Sequence, residues 1–173
     1  AFEKRLPCGA TLHPKVISVS SLSKSYGLPG IRMGWLFTQE AKLMEKFLAA
    51  KEQIVICGSR VDEEIAFQYY SKKQKFLQAI EKDILAKRKI LIDWFKEEPK
   101  LEYVMPVAGV VCFPRIKKSS GVNVSKFYEI LNSKYETFVG PGHWFEMDRS
   151  YFRIGYAWPK TAELMQGLKN VSL

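Results

Sequence analysis

The sequence predicts an α/β chain. Two short β-branched strands lie near its start, helical periodicity follows over residues 39–97, and short strands alternate with helices after Pro99. Hydrophobic residues make up 47% of the 173 positions and aromatics 13%, enough apolar surface for a packed core.

The first strand is Val16-Ile17-Ser18-Val19 and the second Met33-Gly34-Trp35-Leu36-Phe37. Residues 20–32 between them hold Gly27, Pro29 and Gly30, too short and too broken a stretch for the helix of a parallel crossover. An antiparallel pair joined by a functional loop is expected. Pro29-Gly30 predicts a tight type II turn that folds Arg32 back toward Lys24. Both strands are apolar on both faces, so cover by helices on each side is expected, more of it than the chain itself supplies.

Leu43, Met44, Phe47 and Leu48 recur at helical spacing over residues 39–54. Ser59, with Asp62 and Glu63 behind it, can cap a second helix carrying Val61, Ile65 and Tyr69. Ser71 followed by Gln74 is a capping-box pattern and predicts the start of a long helix reaching about Glu97. Its apolar stripe is Leu77, Ile80, Ile84, Leu91 and Phe95, and Pro99 stops it. Such a helix exceeds the mean of about 11–12 residues and is expected to bridge two domains. After Pro99, strands near residues 102–105, 110–113, 138–139 and 151–156, with helices near 124–132 and from Lys160, predict a small domain with helices over one face of a mostly antiparallel sheet. The expected divisions are 1–71, a linking helix 72–98, and 99–173.

Several function classes are excluded. Cys8, Cys57 and Cys112 lie far apart without a CxxC pair and with only two histidines, so neither a metal site nor a disulfide framework is indicated, and a reducing, cytoplasmic compartment fits. No apolar run nears the roughly 20 residues needed to cross a bilayer, and residues 1–7 lack the apolar segment of a signal peptide. The net charge of +9 raises nucleic acid as a partner. The densest basic group, Lys72, Lys73, Lys75, Lys82, Lys87, Arg88 and Lys89, is interleaved with Glu81, Asp83 and regularly spaced apolar residues, as on a solvated helix face. Neither a nucleic-acid nor a membrane partner is expected. The chain starts without Met and runs at once into motif-bearing sequence, which suggests a fragment.

The chemistry concentrates in Ser21-Leu22-Ser23-Lys24-Ser25-Tyr26-Gly27-Leu28-Pro29-Gly30-Ile31-Arg32-Met33-Gly34. Lys24 follows an apolar strand, so its amine would emerge at a strand end, where open α/β sheets bind ligands. Serine hydroxyls and backbone amides there can hold a phosphate, and Arg32 can grip the same phosphate with its planar fork of donors. An amine beside such a site suits Schiff-base chemistry.

With Trp35, this stretch resembles the lysine motif of class I/II aminotransferases, which are fold type I pyridoxal-phosphate (PLP) enzymes. The resemblance implies that Lys24 forms the internal aldimine with pyridoxal 5′-phosphate and shuttles protons, while Ser21 and Arg32 bind the cofactor phosphate. Pro106-Val107-Ala108-Gly109-Val110-Val111-Cys112-Phe113 resembles the family's Pro-x-x-Gly strand, whose glycine allows close backbone approach. Val139-Gly140-Pro141-Gly142-His143-Trp144-Phe145, with Tyr151-Phe152-Arg153-Ile154-Gly155-Tyr156, resembles the segment whose arginine clamps the substrate α-carboxylate, a role that falls on Arg153. Residues 1–71 are then the remnant of a large PLP-binding domain and 99–173 the small domain, together the C-terminal part of such an enzyme.

The family's pyridine-nitrogen aspartate and ring-stacking aromatic cannot be placed in this sequence, so the 173 residues alone are expected to be a poor catalyst. The implied reaction moves an amino group between an amino acid and a 2-oxo acid, in an enzyme expected to be a homodimer. A lyase or synthase on the same scaffold, or a non-catalytic ligand-sensing domain of a transcription regulator, remains open.

Overall fold

The computed structural model describes residues 7–24 and 26–172; the start of the chain and the place of Ser25 in the motif lie outside the described residues. Strands β1 (Ser18–Ser21) and β2 (Gly34–Phe37) pair antiparallel, Ser18 opposite Phe37 and Ser21 opposite Gly34. The expected antiparallel pair is present, with β1 two residues later than the β-branched run. Before it, the Ala10 N–H donates to the Ser18 hydroxyl at 2.7 Å and Gln39 donates to the Ala10 carbonyl, fastening the entering chain to the hairpin.

Helix α1 (Ala41–Ile54) follows, then α2 (Arg60–Ser71), whose start is set as expected by the Ser59 hydroxyl accepting the Asp62 N–H at 3.2 Å. Ser71 does not cap the next helix. It ends α2, and its hydroxyl donates backward to the carbonyls of Phe67 and Gln68, the local bond a serine makes when a helix precedes it. Helix α3 (Lys73–Lys96) begins two residues on.

The chain divides into two compact units, one up to Ile80 and one from Glu81, so the boundary falls inside α3. In the first unit, the buried apolar residues among those described are Ala10 and Leu22. The strands, expected to need more cover than the chain itself supplies, are half open, with Val19 77% and Phe37 52% exposed, because a two-stranded hairpin and two helices cannot cover both sides.

The second unit holds the core. Here β3 (Leu101–Glu102) pairs with β5 (Arg115–Ile116), and a three-stranded sheet has the order β4 (Val111–Cys112), β7 (Phe152–Gly155), β6 (Gly140–Pro141), all antiparallel. Leu91 and Phe95 of α3, Phe127 and Leu131 of α4 (Val124–Ser133), and Leu164 and Leu168 of α5 (Thr161–Val171) join Phe152, Ile154 and Tyr156 in one buried cluster. Asn123 caps α4 by accepting the Lys126 N–H at 3.0 Å.

Two expectations about single residues change here. Lys87, read as part of a solvated face, is 5% exposed and donates to Asp83 at 2.7 Å and to the Ala157 carbonyl at 3.1 Å. Position 87 lies three residues after Ile84 and four before Leu91, on the apolar stripe itself, so its ammonium is buried with partners. Gly109 is required by its φ of +89° and not by close approach, since an added Cβ would meet nothing within 4 Å; its carbonyl accepts the Tyr156 hydroxyl at 2.8 Å.

Gly167 sits inside α5, where an added methyl would make only an ordinary 4.0 Å contact with Thr137. Gly167→Ala is therefore expected to stabilise the protein by about 0.5–1 kcal/mol, read as a higher denaturant midpoint at unchanged m-value. No helix among the described residues is long and apolar enough to cross a membrane, and no cluster of three metal-ligating side chains occurs among them.

Candidate active site

The hairpin builds a site within the first unit. Beyond Ser21 the ladder continues for one bond, Leu22 N–H to the Met33 carbonyl at 3.0 Å, and the chain then closes on itself: Gly27 N–H donates to the Lys24 carbonyl at 3.1 Å and Leu28 N–H to the Leu22 carbonyl at 2.9 Å. Gly27, at φ +71°, makes the return that only glycine takes without strain. Lys24 stands exposed on this turn. Tyr69 of α2 donates to the Tyr26 carbonyl at 2.7 Å, and the Tyr26 ring meets Trp35 edge-on with centroids 5.8 Å apart, so the turn is tied to both α2 and β2.

The second half of the connection departs from the expected type II turn. Gly30 does not take a positive φ; Pro29, Gly30 and Ile31 form a 3₁₀ turn, and the left-handed position falls on Arg32 at φ 52°. A proline suits the first turn of a helical segment, which explains the replacement of one turn type by the other. A non-glycine residue in that region is uncommon and is favoured where the surroundings over-determine it. Its effect is local: the Arg32 guanidinium donates to the Pro29 carbonyl at 3.0 Å, which uses one of five N–H donors and leaves four.

Ser21 and Arg32 line one cleft of about 640 Å³, together with Ser23 and, from α1, Met44, Phe47 and Lys51. Lys24 is not part of the cleft wall; it stands on the turn that leads out of it. The Ser21 hydroxyl accepts the Ser23 N–H at 3.3 Å and keeps its own proton to donate. Gly34 floors this wall opposite Ser21, where an added Cβ would come within 3.0 Å of the Ser20 carbonyl. Lys51 brings a second cation to the cleft. Sequence reading did not single it out, because a lysine in the last turn of a helix is ordinarily a surface residue.

Arg153 belongs to the second unit. It sits on β7 at an exposed position between buried Phe152 and Ile154, opposite Gly140 of β6. Its guanidinium carbon lies 4.7 Å from the centroid of the Phe145 ring, and no carboxylate among the described residues pairs with it. Phe145 also escaped the sequence reading, although it closes the Gly-Pro-Gly-His-Trp-Phe run that drew attention to Arg153.

The model of the family "Aminotransferase class I and II" matches residues 2–171. The chain belongs to that family. Among curated relatives, a capreomycidine synthase from Streptomyces vinaceus is 28% identical over 160 residues, 91% of this chain and 40% of that protein. An aspartate aminotransferase from Pyrococcus horikoshii is 30% identical over 150 residues, 83% of this chain and 37% of that protein. The chain thus spans about 40% of the length of these relatives. Among solved structures, a PLP-dependent aminotransferase from Streptococcus suis 89-1591 is 28% identical with a TM-score of 0.87, covering 98% of this chain and 44% of that one. An α-aminoadipate aminotransferase from Thermus thermophilus, at 17% identity and TM-score 0.82 over 98% of this chain and 45% of that one, shares the fold. The fold of this aminotransferase-family chain is accordingly part of a fold type I PLP enzyme, and the family implies pyridoxal 5′-phosphate as cofactor.

The residues present fit that group. A phosphate monoester needs hydroxyl and guanidinium donors with positive charge nearby; Ser21, Arg32 and Lys51 supply these in a single cleft whose remaining wall includes the apolar Met44 and Phe47.

Proposed function

We propose that this chain belongs to an aminotransferase that moves an amino group between an amino acid and a 2-oxo acid, with Lys24 as the reacting amine, Ser21 and Arg32 as the phosphate anchor, and Arg153 as the group that takes the substrate carboxylate. The observation that carries this is the shared cleft of Ser21 and Arg32, built on the same hairpin connection that displays Lys24. When bound, the cofactor supplies an aldehyde and an electron-withdrawing ring that accepts charge from the substrate's α-carbon. The chain's part is to hold and to move protons. Arg32 and Ser21 fix the phosphate and so the orientation of the whole cofactor, Lys24 offers an amine within the same segment and moves a proton at the α-carbon, and Arg153 orients the substrate through its carboxylate.

The relatives are more than twice as long, and the apolar surface exposed on β1, α1 and α2 is what a longer chain or a second subunit of a homodimer would cover. A lyase or synthase reaction on the same residues is the second possibility, the synthase favoured by the likeness to capreomycidine synthase. Incubating the full-length protein with PLP, an amino acid and a 2-oxo acid separates the two. Appearance of the new amino acid supports transfer, whereas release of pyruvate and ammonia, or a product that keeps its nitrogen, supports the other chemistry.

Arg32→Ala is expected to weaken cofactor retention about 10-fold to 100-fold, the range of one charge-assisted bidentate contact, with Arg32→Lys recovering part of it. Equilibrium dialysis of PLP against the full-length variants measures this; equal retention would remove Arg32 from the phosphate site.

A further inference from the structure

Resting on Arg153 as the substrate-carboxylate group, we propose that Phe145 is a positioning residue that holds the Arg153 guanidinium ready for a carboxylate, and that Gly140 is the opening through which its ring does so. An arginine on an exposed strand position has a long, mobile side chain, and among the described residues no carboxylate fixes this one. What it does have is the Phe145 ring, 4.7 Å from the guanidinium carbon to the centroid. A ring against a guanidinium engages its flat face and leaves the N–H groups at the rim, so stacking and bidentate carboxylate binding do not compete.

The ring is itself held. Phe145 ends a 3₁₀ turn, Gly142–Phe145, closed by the Met147 N–H donating to the Gly142 carbonyl at 3.1 Å. Phe113 meets Phe145 edge-on at 5.5 Å and stacks on Tyr151 at 5.5 Å, which ties the ring to the residue that precedes the strand of Arg153. Gly140 lies directly opposite Arg153 in the ladder, and a Cβ there would come within 3.3 Å of the Phe145 ring and 3.4 Å of the Arg153 Cβ. A side chain at 140 would therefore crowd both the ring and the base of the Arg153 side chain. The two residues flank one contact.

The test uses the full-length, PLP-loaded enzyme with variants Phe145→Leu, Phe145→Tyr, Gly140→Ala and Arg153→Leu, and measures kcat and KM for its amino acid together with inhibition by butyrate, an unreactive monocarboxylate. Phe145→Leu is expected to raise KM and the butyrate inhibition constant together by about 2-fold to 5-fold, the worth of one exposed cation–π contact, with kcat unchanged. Phe145→Tyr, which keeps a ring face, restores both constants. Gly140→Ala shifts them in the same direction as Phe145→Leu and serves as the test if the leucine variant does not fold. Unchanged KM and butyrate inhibition in Phe145→Leu or Gly140→Ala, while Arg153→Leu raises both, would overturn the role of Phe145 alone. Unchanged values in Arg153→Leu would remove Arg153 from the carboxylate site and this proposal with it.

Discussion

Replacing Lys24 by alanine in the full-length protein is expected to lower amino transfer by at least about 10⁴-fold. A positioned proton-transferring group contributes about 10²-fold to 10⁴-fold, and on the proposed role the same side chain is also the amine that the cofactor's aldehyde needs. Cofactor binding is expected to persist in part, because the proposed anchors Ser21 and Arg32, which share one cleft, would act on the phosphate and not on the aldehyde. Borohydride treatment then discriminates between amine and anchor: it fixes cofactor to the wild-type chain on the peptide containing Lys24 and leaves the alanine variant unlabelled. Lys24→Arg is not expected to rescue, since a guanidinium stays protonated and is a poor nucleophile. A small primary amine added to the alanine variant should return a fraction of the activity, because it restores the missing base without restoring its tether. Activity above a tenth of wild type in Lys24→Ala would dismiss the residue from the reaction, whatever the motif around it.

What could be read from residue order alone was what short-range physics dictates. The antiparallel pairing of β1 and β2 follows from a connection too short for a helical crossover, and the start of α2 follows from a serine placed to accept an N–H from its first turn. Where two local devices competed, the order of residues was not enough. Pro29-Gly30 suits a type II turn and the first turn of a helical segment equally, and the choice of the latter moved the positive φ to Arg32. Ser71 can cap forward or bond backward, and the preceding helix decided it. Strand β5 was missed because Arg115–Ile116 is two residues long between Pro114 and two lysines; its bonds come from partners elsewhere in the chain, Ile116 N–H to the Ser150 carbonyl at 2.9 Å among them. At the site, the serine and arginine of the motif share a cleft, but Lys51 and Phe145 enter only through packing that no spacing rule describes.

The largest expected effect on folding comes from Gly142→Ala. Gly142 is buried at the start of the 3₁₀ turn after β6, and a Cβ built on it would collide with the carbonyl oxygen of Asp148 and lie 2.8 Å from that of Tyr151. Both obstacles are backbone, so no rotamer change relieves them. Backbone movement is also resisted: the Tyr151 carbonyl accepts the Gly142 N–H at 2.7 Å and the Tyr128 hydroxyl at 2.9 Å, and the same hydroxyl reaches the Arg149 carbonyl at 2.9 Å. Burial pushes the Tyr128 hydroxyl up to about 12, so it remains a donor throughout the physiological range. Admitting one methyl therefore means opening the turn and losing several of these bonds, which is expected to cost about 3 kcal/mol or more, measured as a fall in the denaturant midpoint of the full-length protein. Gly155→Ala is the control. It lies on β7 beside Arg153, yet a Cβ there meets nothing within 4 Å, so a change within about 0.5 kcal/mol is expected. Because Gly142 is bonded to Tyr151, the residue before β7, Gly142→Ala should also raise KM for the amino-acid substrate in whatever fraction folds, through displacement of Arg153 and with little change at the cofactor. A Gly142→Ala protein as stable as wild type would mean that the turn yields without breaking its bonds.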